Sequence, residues 1–135
     1  MRTLGDNWQP RQVLLFSGHL VDAPNRAEPR FPPEKVPVAA DRLAAALDQI
    51  GVGPDDISFS QAAAGGDLLF LEACQQRGVH ARVLLPFAEP EFIEQSILPV
   101  SGGAAWRDRY LAMKARLEPG ALRIMSVSAD ASRSV

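Results

Sequence analysis

Ile57-Ser58-Phe59-Ser60-Gln61-Ala62-Ala63-Ala64-Gly65-Gly66-Asp67-Leu68-Leu69-Phe70-Leu71-Glu72-Ala73-Cys74, followed after residues 75–79 by His80-Ala81-Arg82-Val83-Leu84-Leu85-Pro86, is the stretch on which the fold turns. Its first four residues read as a short strand. Two glycines then break the chain, and residues 68–78 carry apolar side chains most of the way round a helical turn, which predicts a well-buried helix ending at Gly78. The run 80–85 predicts a second strand, stopped by Pro86. A strand, a helix and a strand within thirty residues make a crossover unit and imply parallel pairing.

The same alternation extends in both directions. Upstream, Gln12-Val13-Leu14-Leu15-Phe16-Ser17-Gly18 is a continuous apolar run ending in Ser-Gly, the pattern of a strand buried on both faces. Residues 19–33 hold Pro24, Pro29, Pro32 and Pro33 and cannot form a regular helix; a connection this long tends to be functional. Residues 37–50 return to helical spacing, with Val38, Ala39, Leu43, Ala46, Leu47 and Ile50 as the apolar stripe and Gly51 as the stop. Downstream, 89–98 predicts a helix facing the core with Phe92, Ile93 and Ile97. Residues 104–117 predict another, with Trp106, Tyr110, Leu111, Met113 and Leu117 buried, and 121–127 a fourth strand. The expected architecture is α/β: a Rossmann-like three-layer sandwich whose small, mainly parallel sheet of about four or more strands is flanked by helices. Residues 1–11 are expected to be a flexible leader, 12–127 the ligand-binding domain and 128–135 a flexible tail. Four strands are few for such a sheet, so the reading leaves room for a second copy, a fused effector domain or a longer parent chain.

Composition narrows the function classes. The chain has 135 residues, 47% of them apolar, enough for one core. A net charge of −2, with Lys35 and Lys114 the only lysines among 14 basic residues, weighs against nonspecific nucleic-acid or membrane binding. The single cysteine, Cys74, excludes an internal disulfide and a cysteine-built zinc site, and no spacing of metal ligands is visible. With no signal-like h-region at residues 1–10 and no run of ~20 apolar residues, a cytoplasmic location is expected. No cofactor is indicated.

In open parallel sheets, ligands bind beyond the carboxyl ends of the strands. Ser17, Gly18 and His19 after the first strand, Gly65, Gly66 and Asp67 after the second, and Pro86 after the third are expected to converge there. The glycine turn lets backbone approach a ligand, and the helix that follows offers free N–H groups and a positive dipole end to a phosphate. Asp67 either caps that helix or receives a ribose hydroxyl. Arg26 and Arg30, in the proline-rich connection, could clamp an anion or stand as solvated loop charge. Glu72 is either a helix-face residue or, with Asp67, a catalytic carboxylate. On this reading Gly66→Asp is expected to abolish binding and leave the domain folded.

Taken together, the Ser-Gly strand end, the Gly65-Gly66-Asp67 turn with Glu72 beyond it, and the 80–87 strand ending in Pro-Phe resemble the SLOG superfamily of Rossmann-like domains. That group includes the LOG-type phosphoribohydrolases that activate cytokinins, the molybdenum-cofactor carrier proteins, the DNA-processing protein DprA and nucleotide-sensing domains of bacterial conflict systems. The resemblance spans residues 13 to about 117. It implies a bacterial domain with a nucleotide-type ligand against Ser17, Gly18, Gly65, Gly66 and Asp67, and Glu72 near the family's helix carboxylate. The LOG enzymes carry Pro-Gly-Gly-x-Gly-Thr-x-x-Glu; here the third glycine and the threonine are missing. That departure favours ligand binding or sensing over the alternatives, a nucleotide N-glycosidic hydrolase or a non-catalytic protein-interaction module.

Overall fold

The computed structural model describes residues 7–125. Strand β1 (Gln12–Leu15) is followed by the long connection, a single 3-10 turn (Pro33–Lys35) and helix α1 (Val36–Ile50). Then come β2 (Asp56–Ser60), α2 (Gly66–Gln76), β3 (His80–Leu85), α3 (Glu89–Ser96), α4 (Gly103–Ala115) and β4 (Leu122–Ile124). The four strands form one all-parallel sheet in the order β1-β2-β3-β4, flanked by helices, a Rossmann-like α/β arrangement. The alternation read from the sequence is the one observed; the expected tail 128–135, the end of the expected fourth strand and residues 1–6 of the expected leader lie outside the described residues.

The strand order fixes where the helices go. Each crossover advances the chain one strand in the same direction, and right-handed crossovers that never reverse stack their helices on one side of the sheet. Accordingly α1 packs on α2, and α2 on α4. Beneath them Ala81, Val83 and Leu85 of β3 are buried, together with Ser58 and Ser60 of β2, which stand beside Ala81 and Val83 in register. Small residues at these positions, with Ala62, Ala63 and Ala64 in the turn, let α2 lie close to the sheet and bury Leu68, Leu69, Phe70 and Leu71.

The opposite face is different. Val13 and Leu15 point away from the helices and are 56% and 79% exposed. The expectation that the first strand is buried on both faces is therefore corrected: β1 alternates between half-buried and exposed positions. It is an edge strand, and among the described residues the helical cover lies on one face only. Four stripe assignments are corrected for a related reason. Val38, Ala46, Ile50 and Leu111 turn outward and are exposed.

At the amino end of the sheet, Arg11 ties the chain to β2. Its guanidinium donates to both carboxylate oxygens of Asp56, at 3.2 and 2.9 Å, and to the Gly51 carbonyl at 2.6 Å. Gly53 N–H and the Gln12 amide donate to the same carboxylate. Burial alone would raise the Asp56 carboxyl, but these donors hold it below its ordinary value. A carboxyl that titrates lower in the folded than in the unfolded chain adds stability above the unfolded value, near ~4, and loses it as pH falls through the folded one. Asp56→Asn should accordingly lower Tm near pH ~7, lower it progressively less as pH falls below the unfolded value, and flatten the acid limb of a Tm-against-pH series. Above Asp56 the expected leader is partly accounted for: the Trp8 indole lies edge-on against the buried His80 ring, centroids 5.1 Å apart.

Candidate functional site

The turn after β2 and the chain after β1 meet backbone to backbone. Leu20 bridges Gly65 in antiparallel sense, Val21 N–H donates to the Ala64 carbonyl at 2.9 Å, and Gly66 N–H donates to the His19 carbonyl at 3.0 Å. Asp67 locks the junction. Its carboxylate accepts Gly18 N–H at 2.9 Å and Ala63 N–H at 3.4 Å. Burial pushes the Asp67 carboxyl above its ordinary value, and those two N–H groups draw it partway back. Asp67 does not cap α2, whose N-cap position is Gly65; it joins two loops.

The glycines serve this close approach. A Cβ on Gly65, where φ is 133°, would stand 2.5 Å from the His19 carbonyl oxygen. One on Gly66 would stand 3.0 Å from the Gly18 Cα. The expectation that Gly66→Asp leaves the fold intact is corrected for that reason: the added side chain meets backbone, so the variant would lose binding and packing together. One α2 N–H that the sequence offered to a phosphate, that of Gly66, is held by the His19 carbonyl, and Leu68 N–H donates to Ala63.

Open space lies beside this junction, on both sides of the β1 end. One cavity, of about 520 Å³, is lined by Ser17, Gly18, His19 and Gly66 on one wall, by Arg30 and Phe31 from the long connection, and by Lys35, Val38, Ala39 and Arg42 at the start of α1. It contains three cations and no carboxylate. Among the described residues no carboxylate pairs with the side chains of Arg30, Lys35 or Arg42. The amino end of α1 adds the positive end of its dipole. The second cavity, of about 420 Å³, opens on the face opposite the helices and is lined by Leu15, Phe59, Leu84 and Met125 with Ser60, Gln61 and Asp67. Phe16 and Ser17 line both. The Ser60 hydroxyl is buried without a hydrogen-bond partner.

The expected site residues divide accordingly. Ser17, Gly18, His19, Arg30, Gly66 and Asp67 line one cavity or the other, whereas Gly65, Arg26 and Pro86 line neither. Arg26 is turned back on its own loop, donating to the Glu28 carbonyl at 2.7 Å with its Nε 3.8 Å from Asp22. Asp22 is what orders the connection. It is buried and accepts the N–H groups of Arg30 and Phe31, both at 3.0 Å, so that Arg30 is presented to the cavity and Phe31 to the core. Glu72 faces α4, where Arg109 donates to both of its oxygens at 2.9 and 2.5 Å and lies over the Trp106 ring. Pro86 directly follows β3, whose Leu84 lines the second cavity, but is not itself part of either lining.

Lys35 and Arg42 are site residues that the sequence reading missed. The signal was present: they are seven apart, two helical turns, with Val38 and Ala39 between them on the same face. Among the described residues no group of His, Cys, Asp and Glu could hold a metal ion, and no helix is long and apolar enough to cross a membrane. Compared with family models, with curated proteins and with solved structures, the chain matches none.

Proposed function

We propose that this domain binds a phosphorylated, nucleotide-type ligand across the end of β1, as a binding or sensing module. The observation that carries the reading is the cavity with Arg30, Lys35 and Arg42 and no carboxylate, in a chain whose net charge is −2. Unpaired cations around one concavity favour a polyanion, and arginine forks suit phosphate oxygens. The adjoining apolar cavity, with Leu15, Phe59, Leu84 and Met125, suits a flat heterocycle, and Ser60 and Gln61 offer hydrogen bonds to its edge. Ser17 lies where the two halves of such a ligand would join. The resemblance to SLOG domains supports the same ligand class.

Of the two carboxylates that a glycosidic hydrolase would use, Glu72 is engaged by Arg109 outside both cavities, and Asp67, which lines the second cavity, is engaged by the Gly18 and Ala63 N–H groups. The reading is therefore binding without turnover. Thermal unfolding against mononucleotides, dinucleotides, cyclic dinucleotides and inorganic phosphate tests it. A ligand at 100 times its Kd adds about 2.7 kcal/mol, an upward Tm shift on the order of 10 °C for a domain of this length. A flat response across the panel would instead support the interaction-module reading.

A further inference from the structure

The cationic cavity follows one face of α1. Lys35, at the N-cap of that helix, and Val38, Ala39, Arg42 and Leu43 all line it, and their spacing of three and four residues sets them on one stripe about two turns long. The stripe has a direction. β1 and β2 are parallel, so the chain between them returns from the carboxyl end of the sheet to its amino end, and α1 runs against the strands. Lys35 therefore stands nearer the level of the strand ends, where Gly18, His19 and Gly66 line the same cavity. Arg42 stands about 10 Å farther along the helix axis, seven residues on at ~1.5 Å each.

Charge and reach then decide which class of anion fits. Arg30, Lys35 and Arg42 are three cations with no carboxylate among the lining residues. A phosphate monoester carries only about −1.5 to −2 at pH ~7, on one set of oxygens. Drawing all three cations onto it would crowd like charges together and leave the cluster net positive. A chain of phosphates gives each cation its own oxygens and matches the spread from the β1 end to Arg42. We infer that the ligand is a nucleoside polyphosphate, a di- or triphosphate, whose phosphate chain lies along this face of α1 with its terminal group at Arg42. The inference deepens the nucleotide reading and rests on it. Ser17, shared by the two cavities, stands at the ribose end of such a ligand, and Arg42 is the residue that tells a polyphosphate from a monophosphate.

Titration calorimetry on the full chain, with the mono-, di- and triphosphates of adenosine, guanosine, cytidine and uridine, tests this. For the base that binds, Kd should fall roughly tenfold or more from monophosphate to triphosphate. Inorganic tripolyphosphate should compete with that triphosphate where inorganic phosphate does not. The triphosphate should also lose affinity more steeply as salt rises, since more of its binding is charge. Arg42→Gln should cost the triphosphate on the order of tenfold and the monophosphate far less, so that the ratio between them narrows. Its circular dichroism should match that of the wild type, since Arg42 is exposed. A monophosphate bound as tightly as its triphosphate, or a ratio that Arg42→Gln leaves alone, would overturn the polyphosphate assignment and leave the nucleotide site standing. Tripolyphosphate bound as tightly as every nucleoside triphosphate would overturn the nucleotide reading, and with it the nucleoside part of the inference. A chain that binds none of these probes would overturn both.

Discussion

Gly65→Ala should destabilise the domain by about 4 kcal/mol. Two costs combine. The backbone at Gly65 has φ of 133° and ψ of −131°, a region that only glycine occupies readily, and forcing a side chain into it costs about 1–3 kcal/mol. The new Cβ would also stand 2.5 Å from the His19 carbonyl oxygen and 2.8 Å from the Val21 nitrogen. Both are backbone atoms tied into the Leu20–Gly65 bridge, so relief would mean parting the two loops, at a further ~1–3 kcal/mol of overpacking. At this chain length, 4 kcal/mol lowers Tm by roughly 15 °C. Gly66→Ala should cost less, since its Cβ would meet the Gly18 Cα at 3.0 Å without an unfavourable φ. Gly53→Ala, with nothing within 4 Å, should be close to neutral. Urea denaturation of the three variants gives the ranking directly. If Gly65→Ala were as mild as Gly53→Ala, the two loops would not be held together as described.

This places the glycines in a different role from the one their sequence context suggests. A Gly-Gly turn ahead of a helix is what a phosphate loop needs, but it is also what two loops need in order to pass at backbone distance. In this domain Gly65 and Gly66 face Gly18, His19 and Val21, so the second need is the one observed. The sequence around Gly65 and Gly66 is the same in both cases, because the difference lies in residues 18–21, more than forty positions away.

The strand and helix alternation was legible because it depends on local periodicity. Residues 36–50, 66–76 and 80–85 declare themselves through apolar spacing and glycine stops, and α1 ends at Gly51 with φ of 77°. Strand order is a tertiary property and leaves no such trace. Val13-Leu14-Leu15-Phe16 reads equally well as a strand covered on both faces or as an edge strand with one face open. The cationic wall was half legible. Arg30 was found because its proline-rich connection could only pass over the strand ends. Arg42 was not found, since the sequence does not say which part of a helix's outward face overlooks a cavity. The loop-ordering role of Asp22 was not legible because its partners are backbone N–H groups at 30 and 31, which no side-chain pattern marks.

Lys35→Glu with Arg42→Glu should weaken binding of the responding nucleotide by on the order of 100-fold or more, with Tm of the free protein unchanged within about 2 °C. The two parts of that expectation have separate causes. Both residues are exposed, neither pairs with a carboxylate among the described residues, and exposed charges of this kind contribute little to folding. Toward an anion they act together with Arg30, and replacing two attractive charges by two repulsive ones at one cavity costs several kcal/mol of binding. Raising salt should weaken binding to the wild type and reduce the gap to the variant, because open cavities are screened over a Debye length of about 8–10 Å. Glu72→Gln provides the contrast. It removes the carboxylate that Arg109 grips between α2 and α4, so it should lower Tm by a few degrees and leave nucleotide affinity as it was. Calorimetric titration of the three proteins measures both quantities against the same ligand. Binding lost in Glu72→Gln and retained in Lys35→Glu/Arg42→Glu would move the ligand away from the β1 end and toward α4, and the proposed site with it.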